Sequence, residues 1–371
     1  MLRRNGVSKV IPWFQPAMAG LELEYIKSTF EKNYINDGPL TREFEKAVAN
    51  IIGVHYAVAV PSGTVAIAVA LMALDIGPGD EVIVPNLTFI ATANAVRLTG
   101  AKPVLVDIDP FRFTIDPLAA ACAISPKTKA IVPVDVNGRG ADYNSLEILC
   151  KKHGIFLVCD SAEAFGSKYK GKNLGSFGDV AALSFSANKT ISTGQGGMLL
   201  TSNEKIFQRA NQIKDQGRLQ RGSGGDDLHP TMGYNFKFTD LQAAVGLAQL
   251  EAFEKRCKLA AARDDWYFDA LKSCSEVMLP DYKSEAGEIR QWTDILINKR
   301  DVVKFALDQN NMGNRAFWHP LNKQVPYADQ GQKLIQSNLI SEKGIWLPSS
   351  FSITEQDVLD VAEVIKGSLF K

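Results

Sequence analysis

The chain has 371 residues and equal numbers of basic and acidic side chains, 41 of each. This length can bury a large core, and the balanced charge argues against a nucleic-acid or membrane-surface partner. No apolar run approaches the roughly 20 residues that a membrane-spanning helix requires. Four histidines and five cysteines are scattered without metal-ligand spacing, so we predict no metal site.

The N-terminus and the cysteines indicate the cellular compartment of the protein. Residues 1–4 are basic but are not followed by a long apolar run, so we expect no signal peptide. The odd number of cysteines is typical of a reducing compartment. Together these features predict a cytoplasmic location.

After Gly53, apolar runs typical of strands alternate with stretches typical of helices. Strands are predicted at residues 55–60, 81–85, 103–107, 130–134, 155–159 and 180–185, and a helix begins near residue 65. This alternation predicts an α/β fold, in which a mostly parallel sheet is flanked by helices.

The second half of the chain indicates a change of domain. Thr239 and Gln242 have the spacing of a helix capping box, and a long helical pattern follows at residues 250–271. We predict a large domain and a smaller C-terminal α/β domain, at residues 1–255 and 256–371, and in the second a strand at 294–297 and a closing helix at 355–369.

Two charged residues, Asp160 and Lys189, each lie just after a predicted strand. Because ligands of open α/β sheets bind beyond the carboxyl ends of the strands, we expect both side chains in one crevice. An amine and a carboxylate there suit pyridoxal 5′-phosphate (PLP): the lysine forms a Schiff base with it, and the carboxylate keeps the pyridine nitrogen protonated. The alternative is a surface lysine and an aspartate that caps a helix.

Ser62, Gly63 and Thr64 lie between a predicted strand and a predicted helix. Free backbone N–H groups and the positive end of a helix dipole meet at such a turn and can bind a phosphate. Any strand-to-helix turn can contain these residue types, so the pattern alone has low specificity. Phe89 follows the strand at 81–85 and can stack on a flat cofactor ring, although a core position is commoner for phenylalanine.

Four segments, in the same order along the chain, carry a resemblance to a known family. They are residues 62–64, residues 160–164 (Asp-Ser-Ala-Glu-Ala), Ser184 and Phe185 with Lys189, and residues 233–244 (Gly-Tyr-Asn-Phe-Lys-Phe-Thr-Asp-Leu-Gln-Ala-Ala). On these motifs the chain resembles the DegT/DnrJ/EryC1/StrS sugar aminotransferases, from about residue 11 to the last helix. The resemblance implies the type I PLP-dependent aminotransferase fold and PLP as the cofactor.

The resemblance also implies a role for individual residues. Lys189 corresponds to the lysine that forms the Schiff base and moves the proton, and Asp160 to the partner of the pyridinium nitrogen. Glu163 stands where the family has glutamine or glutamate beside the ring hydroxyl. Phe89 stands at the position of the aromatic residue that stacks on the ring.

Further matches concern the cofactor phosphate and the oligomer. Gly63, Thr64 and Ser184 match residues that contact the phosphate. Asn235 resembles an asparagine that reaches into the neighbouring subunit and contacts the phosphate there. The resemblance therefore implies a homodimer whose active sites are shared across the interface.

For the reaction, the resemblance implies transfer of an amino group from an amino acid, usually L-glutamate, to a nucleotide-linked keto-sugar. Residues 160–164 and 317–320 (Phe-Trp-His-Pro) are similar to the GDP-perosamine synthase branch, which aminates C4 of GDP-4-keto-6-deoxymannose. His319 is then expected to contact the sugar, and Lys237 or Arg315 the diphosphate. The alternative for His319 is a packed residue in an aromatic cluster.

Two departures from the family pattern leave the sugar and the nucleotide open. Residues 134–138 read Val-Asp-Val-Asn-Gly where many relatives have Val-His-Leu-Tyr-Gly, and Asn322 stands where histidine is common. Both departures are expected close to the sugar. A 3-keto sugar, or a UDP- or dTDP-linked sugar, is the alternative substrate.

Three other functions fit the sequence less well. The sugar 3-dehydratases of this fold carry histidine in place of Lys189. A non-catalytic regulatory protein would not require Lys189, Asp160 and the predicted phosphate-binding turn together. An NAD-binding enzyme is disfavoured because no Gly-x-Gly-x-x-Gly follows the early strands.

Overall fold

The computed structural model describes residues 9–220, 228–328 and 333–369. The basic start of the chain, at residues 1–4, lies outside the described residues. Within the described ranges, no helix is both long enough and apolar enough to cross a membrane.

Strands and helices alternate through the first two hundred or so residues, as the apolar pattern predicts. The strands are β1 (Tyr56–Val60), β2 (Glu81–Pro85), β3 (Lys102–Val106), β4 (Thr128–Ile131), β5 (Phe156–Asp160), β6 (Lys168–Tyr169), β7 (Lys172–Asn173), β8 (Val180–Ser184), β9 (Gly197–Thr201), β10 (Val277–Met278), β11 (Asp294–Ile297), β12 (Arg315–Ala316) and β13 (Gly344–Trp346). The helices are α1 (Glu22–Glu31), α2 (Pro39–Ile52), α3 (Gly63–Ala73), α4 (Ala91–Leu98), α5 (Pro117–Cys122), α6 (Tyr143–His153), α7 (Glu204–Lys214), α8 (Asp240–Glu251), α9 (Phe253–Leu271), α10 (Arg300–Gln309), α11 (Ile335–Lys343) and α12 (Glu355–Leu369). β2, β11 and α12 have the bounds predicted from the sequence.

The larger sheet has seven strands in the order β1-β9-β8-β5-β4-β2-β3. From β3 to β8 in this order, all neighbouring strands pair in parallel. β9 runs antiparallel to both of its neighbours, β8 and β1. The mostly parallel sheet with helices on its faces confirms the predicted α/β class.

Both faces of this sheet are covered, because successive residues of a strand point to opposite sides. In β1, Ala57 and Ala59 join the core that contains residues of α2 and α8. Val58 and Val60 join the core on the other side, with residues of α3 and α7. Burial on both faces explains why these strands appear in the sequence as continuous apolar runs.

A second sheet lies in the C-terminal part of the chain and has four short antiparallel strands, in the order β10-β11-β13-β12. One face packs on α9, α10 and α12 through residues such as Ile295 and Ile345. On the opposite face, Trp346 joins an aromatic cluster that also contains Val134 from the larger sheet region. This cluster connects the two sheets.

The structure differs from the predicted elements at two points. The helical pattern predicted at residues 250–271 is divided at Ala252, between α8 and α9. The strand predicted at residues 130–134 ends earlier, with β4, because Pro133 has no N–H to continue the pairing. The carbonyl of Pro133 still accepts a hydrogen bond from the Asp160 N–H at 2.9 Å, so the chain stays beside β5.

The chain passes from the larger sheet to the smaller sheet near the predicted domain boundary. All strands of the larger sheet precede residue 255 and all strands of the smaller sheet follow it, and residue 255 itself lies in the first turn of α9. The N-terminal segment crosses this division, since Ile11 forms a bridge with Met312 and packs in the C-terminal core. The division of the chain into two domains at residue 255 stays a prediction.

The start of α8 confirms the predicted capping box. The Thr239 hydroxyl accepts from the Gln242 N–H, and the Gln242 side chain accepts from the Thr239 N–H. Next to it, the buried Asp240 carboxylate accepts hydrogen bonds from the N–H groups of Gly38 and Thr41, at 2.9 and 2.8 Å, where α2 begins. One carboxylate therefore stabilises the positive ends of two helices.

Candidate functional site

A cavity of about 330 Å³ lies beyond the carboxyl ends of β1, β2, β5 and β8. Parallel strands end at one edge of the sheet, so residues that are distant in sequence meet there. The lining includes most of the residues predicted from the sequence, namely Gly63, Thr64, Phe89, Asp160, Glu163, Ser184, Lys189 and Arg315.

One part of the cavity is formed by the start of α3, with Gly63 and Thr64 as its first residues. The Ser62 hydroxyl accepts a hydrogen bond from the Val65 N–H at 3.3 Å and caps the helix. A side chain at Gly63 would crowd Ser184, because a Cβ atom there would lie 3.0 Å from the Ser184 Cβ. The free N–H groups of this helix start, with the hydroxyls of Thr64 and Ser184, are a donor set suited to a phosphate.

Asp160, the last residue of β5, has a buried carboxylate. The Thr92 hydroxyl donates to its Oδ2 at 2.7 Å, and the Ala162 N–H donates to its Oδ1 at 3.2 Å. Burial raises the pKa of Asp160, although these hydrogen bonds and the charge of Lys189 act in the opposite direction. Since a buried charge is costly unless it is paired, this carboxylate is suited to a cationic partner.

The amine of Lys189 lies between a carboxylate and an aromatic ring. Its Nζ is 3.5 Å from Glu163 Oε1 and 5.1 Å from the centre of the Trp292 ring. Burial raises the pKa of Glu163, and the Lys189 charge opposes this rise. The Lys189 side chain is 11% exposed, so the amine faces the cavity but is largely shielded from bulk water.

The opposite wall and the mouth of the cavity are aromatic. Trp292 and Trp318 line the cavity and belong to the cluster that contains Trp346. Phe89 is 51% exposed, so its ring is not a core residue and is free to stack on a bound group. The exposed Arg315 has its guanidinium over Trp346, 5.7 Å from the ring centre, and no carboxylate of the described residues pairs with it.

Three predicted site residues do not line the cavity of this chain. Asn235 is exposed, and its backbone pairs with that of Asp215. Lys237 forms an ion pair with Asp215, with 3.0 Å between Nζ and Oδ1. His319 is also exposed. The alternative interpretation, in which His319 packs inside the aromatic cluster, therefore does not fit the structure. A single chain therefore does not bring these three residues to Lys189.

The two departures from the family pattern have structural partners instead of facing the cavity. Asp135 is buried and accepts hydrogen bonds from the Tyr143 and Ser161 hydroxyls, both at 2.6 Å. Asn322 pairs with Asn86, whose side chain donates to Asn322 Oδ1 at 2.9 Å and accepts from the Asn322 N–H at 2.8 Å. Neither Asp135 nor Asn322 is among the residues that line the cavity.

Thr92 and Trp292 were not predicted from the sequence, although both contact the central charged groups. Thr92 lies in the first turn of α4, three residues after Phe89, and threonine at a helix start is too common to mark a site. Trp292 precedes β11, more than 100 residues after Lys189. No local pattern marks either residue, because the arrangement of strands in the larger sheet brings Thr92 to Asp160 and the packing of the two sheets brings Trp292 to Lys189.

Known proteins share this architecture. The model of the DegT/DnrJ/EryC1/StrS aminotransferase family matches residues 16–366. GDP-perosamine synthase of Caulobacter vibrioides is 36% identical over 355 residues, which cover 92% of this chain and 94% of that protein. UDP-N-acetyl-3-dehydro-alpha-D-glucosamine 3-aminotransferase of Acidithiobacillus ferrooxidans is 34% identical over 335 residues, 88% of each protein. A structure described as a sugar aminotransferase of Streptococcus pneumoniae, in its PLP form, has a TM-score of 0.91 at 27% identity and covers 97% of this chain and 98% of that one.

The fold is that of the type I PLP-dependent aminotransferases, and its cofactor is PLP. The chain belongs to the DegT/DnrJ/EryC1/StrS family and is a sugar aminotransferase. The residues present fit the cofactor. The cavity offers an anion-binding helix start for a phosphate, a buried carboxylate for a protonated ring nitrogen, and an amine for an aldehyde.

Proposed function

We propose that this enzyme transfers the amino group of L-glutamate to C4 of GDP-4-keto-6-deoxymannose. The observation that carries the proposal is the grouping of Lys189, Asp160 and Glu163 with the anion-binding start of α3 in one cavity. The choice of sugar rests on the similarity, over nearly the whole chain, to a GDP-perosamine synthase.

In this proposal, residues of the larger sheet region bind the cofactor. The helix start at Gly63 and the hydroxyls of Thr64 and Ser184 hold its phosphate. Asp160, oriented by the Thr92 hydroxyl, pairs with the protonated ring nitrogen through a charge-assisted hydrogen bond. When bound, PLP supplies an electron-accepting ring and an aldehyde that carries the amino group.

Lys189 is proposed to move the proton. In each half-reaction its Nζ would take up one proton and release one, from the α-carbon of the amino donor to the exocyclic carbon of bound PLP in the first, and from that carbon to C4 of the sugar in the second. Glu163 Oε1, 3.5 Å from Nζ, stabilises the ammonium form and would contact the ring hydroxyl of bound PLP. Phe89 would stack on one face of the ring, and Trp292, whose ring centre is 5.1 Å from Nζ, would limit the access of water to the amine. Because one site takes the two substrates in turn, we expect ping-pong kinetics.

The cavity mouth is proposed to recognise the nucleotide-sugar. The guanidinium of Arg315 lies over Trp13 and Trp346, at 5.3 and 5.7 Å from their ring centres. Stacking of this kind orients the planar donor group, which suits the oxygens of a diphosphate. The exposed His319 is proposed to contact the sugar.

We also propose that the active unit is a homodimer in which each subunit completes the cavity of the other. Asn235 and Lys237 belong to one segment, and neither lines the cavity of its own chain. The exposure of Asn235 suits a contact with the cofactor phosphate in the neighbouring subunit. Lys237 would then lie near the diphosphate in that same cavity.

A panel of keto-sugars tests the substrate. GDP-, UDP- and dTDP-linked 3-keto and 4-keto sugars are incubated with L-glutamate whose amino nitrogen is isotope-labelled, and NMR locates the labelled carbon in the product. We expect GDP-4-keto-6-deoxymannose to be aminated at C4 with a kcat/KM at least about tenfold above the others. A preference for a UDP-linked 3-keto sugar, the chemistry of the Acidithiobacillus relative, would contradict the proposal.

Mixed dimers test the shared active site. Lys189→Ala and Asn235→Ala subunits, each poorly active alone, are combined and allowed to exchange. In a mixed dimer one cavity carries both changes and the other carries neither, so activity should reappear. Native mass spectrometry verifies that mixed dimers are present. No recovery in their presence, or a monomer by light scattering, would rule out the shared site.

A further inference from the structure

Asn137 contacts two neighbours of Lys189, although it lies outside the cavity lining. It is buried in the short turn Val136–Gly138 that follows β4. Its φ of 55° lies in the left-handed region, which asparagine adopts more readily than most residues. The backbone of the turn therefore favours asparagine or glycine at this position.

The side-chain amide of Asn137 pairs with the backbone of Trp292 in both directions. Its Oδ1 accepts a hydrogen bond from the Trp292 N–H at 2.8 Å, and its Nδ2 donates to the Trp292 carbonyl. Because the amide has both a donor and an acceptor, it satisfies both backbone groups of one residue. Trp292 is thereby fixed to the larger sheet region.

The same turn contacts the C-terminal segment just before Trp292. A Cβ atom at Gly138 would lie 2.0 Å from the carbonyl oxygen of Ile289, so the close approach requires glycine. The Ser167 hydroxyl donates to the Gly138 carbonyl at 2.6 Å and accepts from the Ile289 N–H at 3.0 Å. The turn and the segment before β11 therefore pack as one unit.

On its other side, the backbone of Asn137 contacts the group that pairs with Lys189. The Asn137 N–H donates to Glu163 Oε2 at 3.1 Å, and Glu163 Oε1 is 3.5 Å from Lys189 Nζ. The ring of Trp292 lies 5.1 Å from the same Nζ. One buried residue thus contacts both the carboxylate and the aromatic residue that flank the amine.

We propose that Asn137 is a positioning residue that holds Trp292 and Glu163 around the amine of Lys189, and so couples the C-terminal sheet to the binding of the cofactor. The inference rests on the proposed role of Lys189.

A double-mutant cycle on the affinity of the apo-protein for PLP tests the proposal. Asn137→Gly keeps the backbone conformation and the N–H but removes the amide pair, so the Kd for PLP should rise about fivefold or more. In a Trp292→Ala background the same change should raise Kd less than about twofold, because the ring that Asn137 positions is gone. Asn311→Gly, at another left-handed asparagine after α10, is the control and should leave Kd unchanged.

Equal increases of Kd in the two backgrounds would overturn the proposal, because Asn137 would then act on the fold as a whole. An unchanged Kd in Asn137→Gly would overturn it as well. If the glycine variant does not fold, Asn137→Asp takes its place in the cycle, since aspartate keeps the shape and the Oδ1 acceptor but lacks the donor. Failure of the wild-type protein to bind PLP would instead refute the proposed role of Lys189, and this inference with it.

Discussion

The two walls of the cavity differ in chemistry and in origin. The wall from the seven-stranded sheet is polar, and its charged groups lie at or shortly after strand ends: Asp160 is the last residue of β5, and Lys189 lies in the loop after β8. The wall from the C-terminal part is aromatic and contains Trp292 and Trp318. Directional hydrogen bonds orient the polar wall, for example the 2.7 Å bond between Thr92 and Asp160. The rings of the aromatic wall pack on one another, and the backbone of Trp292 is in addition hydrogen-bonded to the Asn137 amide.

This difference predicts that substitutions in the two walls affect different kinetic constants. Hydrogen-bonded charges in a buried site stabilise charge that develops during the reaction, so changes in the polar wall should lower kcat. The stacked rings and the exposed guanidinium at the mouth are proposed to contact substrate equally in the ground state and in the transition state, so changes there should raise KM.

The largest effect is expected at Lys189, at the centre of the polar wall. Lys189→Ala removes the amine that is proposed to move the proton, so kcat should fall at least about a thousandfold, roughly 4 kcal/mol, while circular dichroism should show an intact fold. Steady-state transamination measures the change, and Lys258→Ala, on the exposed side of α9, is the matched control. Undiminished turnover in Lys189→Ala would contradict the proposed role of the lysine.

The second largest effect is expected for Asp160→Asn, because a neutral amide cannot keep the ring nitrogen protonated. We expect kcat to fall about a hundredfold, near 2.7 kcal/mol. Asp116→Asn serves as the control, since asparagine caps α5 as well as aspartate does. If Asp160→Asn keeps activity within about twofold of the wild type, less than about 0.4 kcal/mol, the carboxylate does not have the proposed role.

Arg315→Gln tests the mouth of the cavity. The variant keeps a hydrogen-bond donor but loses the charge, so KM for the nucleotide-sugar should rise about tenfold with kcat little changed, which is about 1.4 kcal/mol of uniform binding. Initial rates at varied sugar concentration separate the two constants. A loss of kcat at constant KM would place Arg315 with the polar wall and remove the distinction between the walls.

Asp135, behind the polar wall, should affect stability with little effect on turnover. Burial raises its pKa from 3.8 to about 7, although hydrogen bonds from Ser161 and Tyr143 favour the ionised form. The folded chain therefore holds this proton more tightly than the unfolded chain. The resulting stabilisation is complete below the unfolded pKa of 3.8 and is lost as pH rises through about 7.

Asp135→Asn removes this titration. The decline in the free energy of unfolding with pH, at most about 1.4 kcal/mol per pH unit from this group, should flatten in the variant. Urea unfolding of the apo-protein between about pH 5 and pH 8 measures both slopes. Identical slopes for variant and wild type would contradict the buried titration.

Much of the polar wall could be predicted because its signals are local. A buried parallel strand is a short apolar run, and the residue after it lies at the ligand-binding edge of the sheet. Asp160, Lys189, Gly63, Thr64 and Phe89 all follow such runs, and the structure brings all five to one cavity. The capping box at α8 was also predictable, since it involves only neighbouring residues.

The aromatic wall could not be predicted in this way. Trp292 meets Lys189 only because the four-stranded sheet packs on the end of the larger one. Asp135 and Asn322 were expected beside the sugar, yet one hydrogen-bonds behind β5 and the other pairs with Asn86. Spacing along the chain does not show which side of a turn a polar residue faces.

The sequence by itself determined the α/β class, the turn at Gly63 that is proposed to bind the phosphate, and the lysine and carboxylate near the strand ends, because each depends on residues close together in the chain. Only the tertiary structure decided the partners of those groups: Thr92 for Asp160, Glu163 and Trp292 for Lys189, and Asn137 between them. Such contacts join segments that are far apart in sequence. The order of strands in the larger sheet brings Thr92 to Asp160 and Glu163 to Lys189, and the packing of the smaller sheet adds Trp292, so no local pattern of residues encodes this geometry.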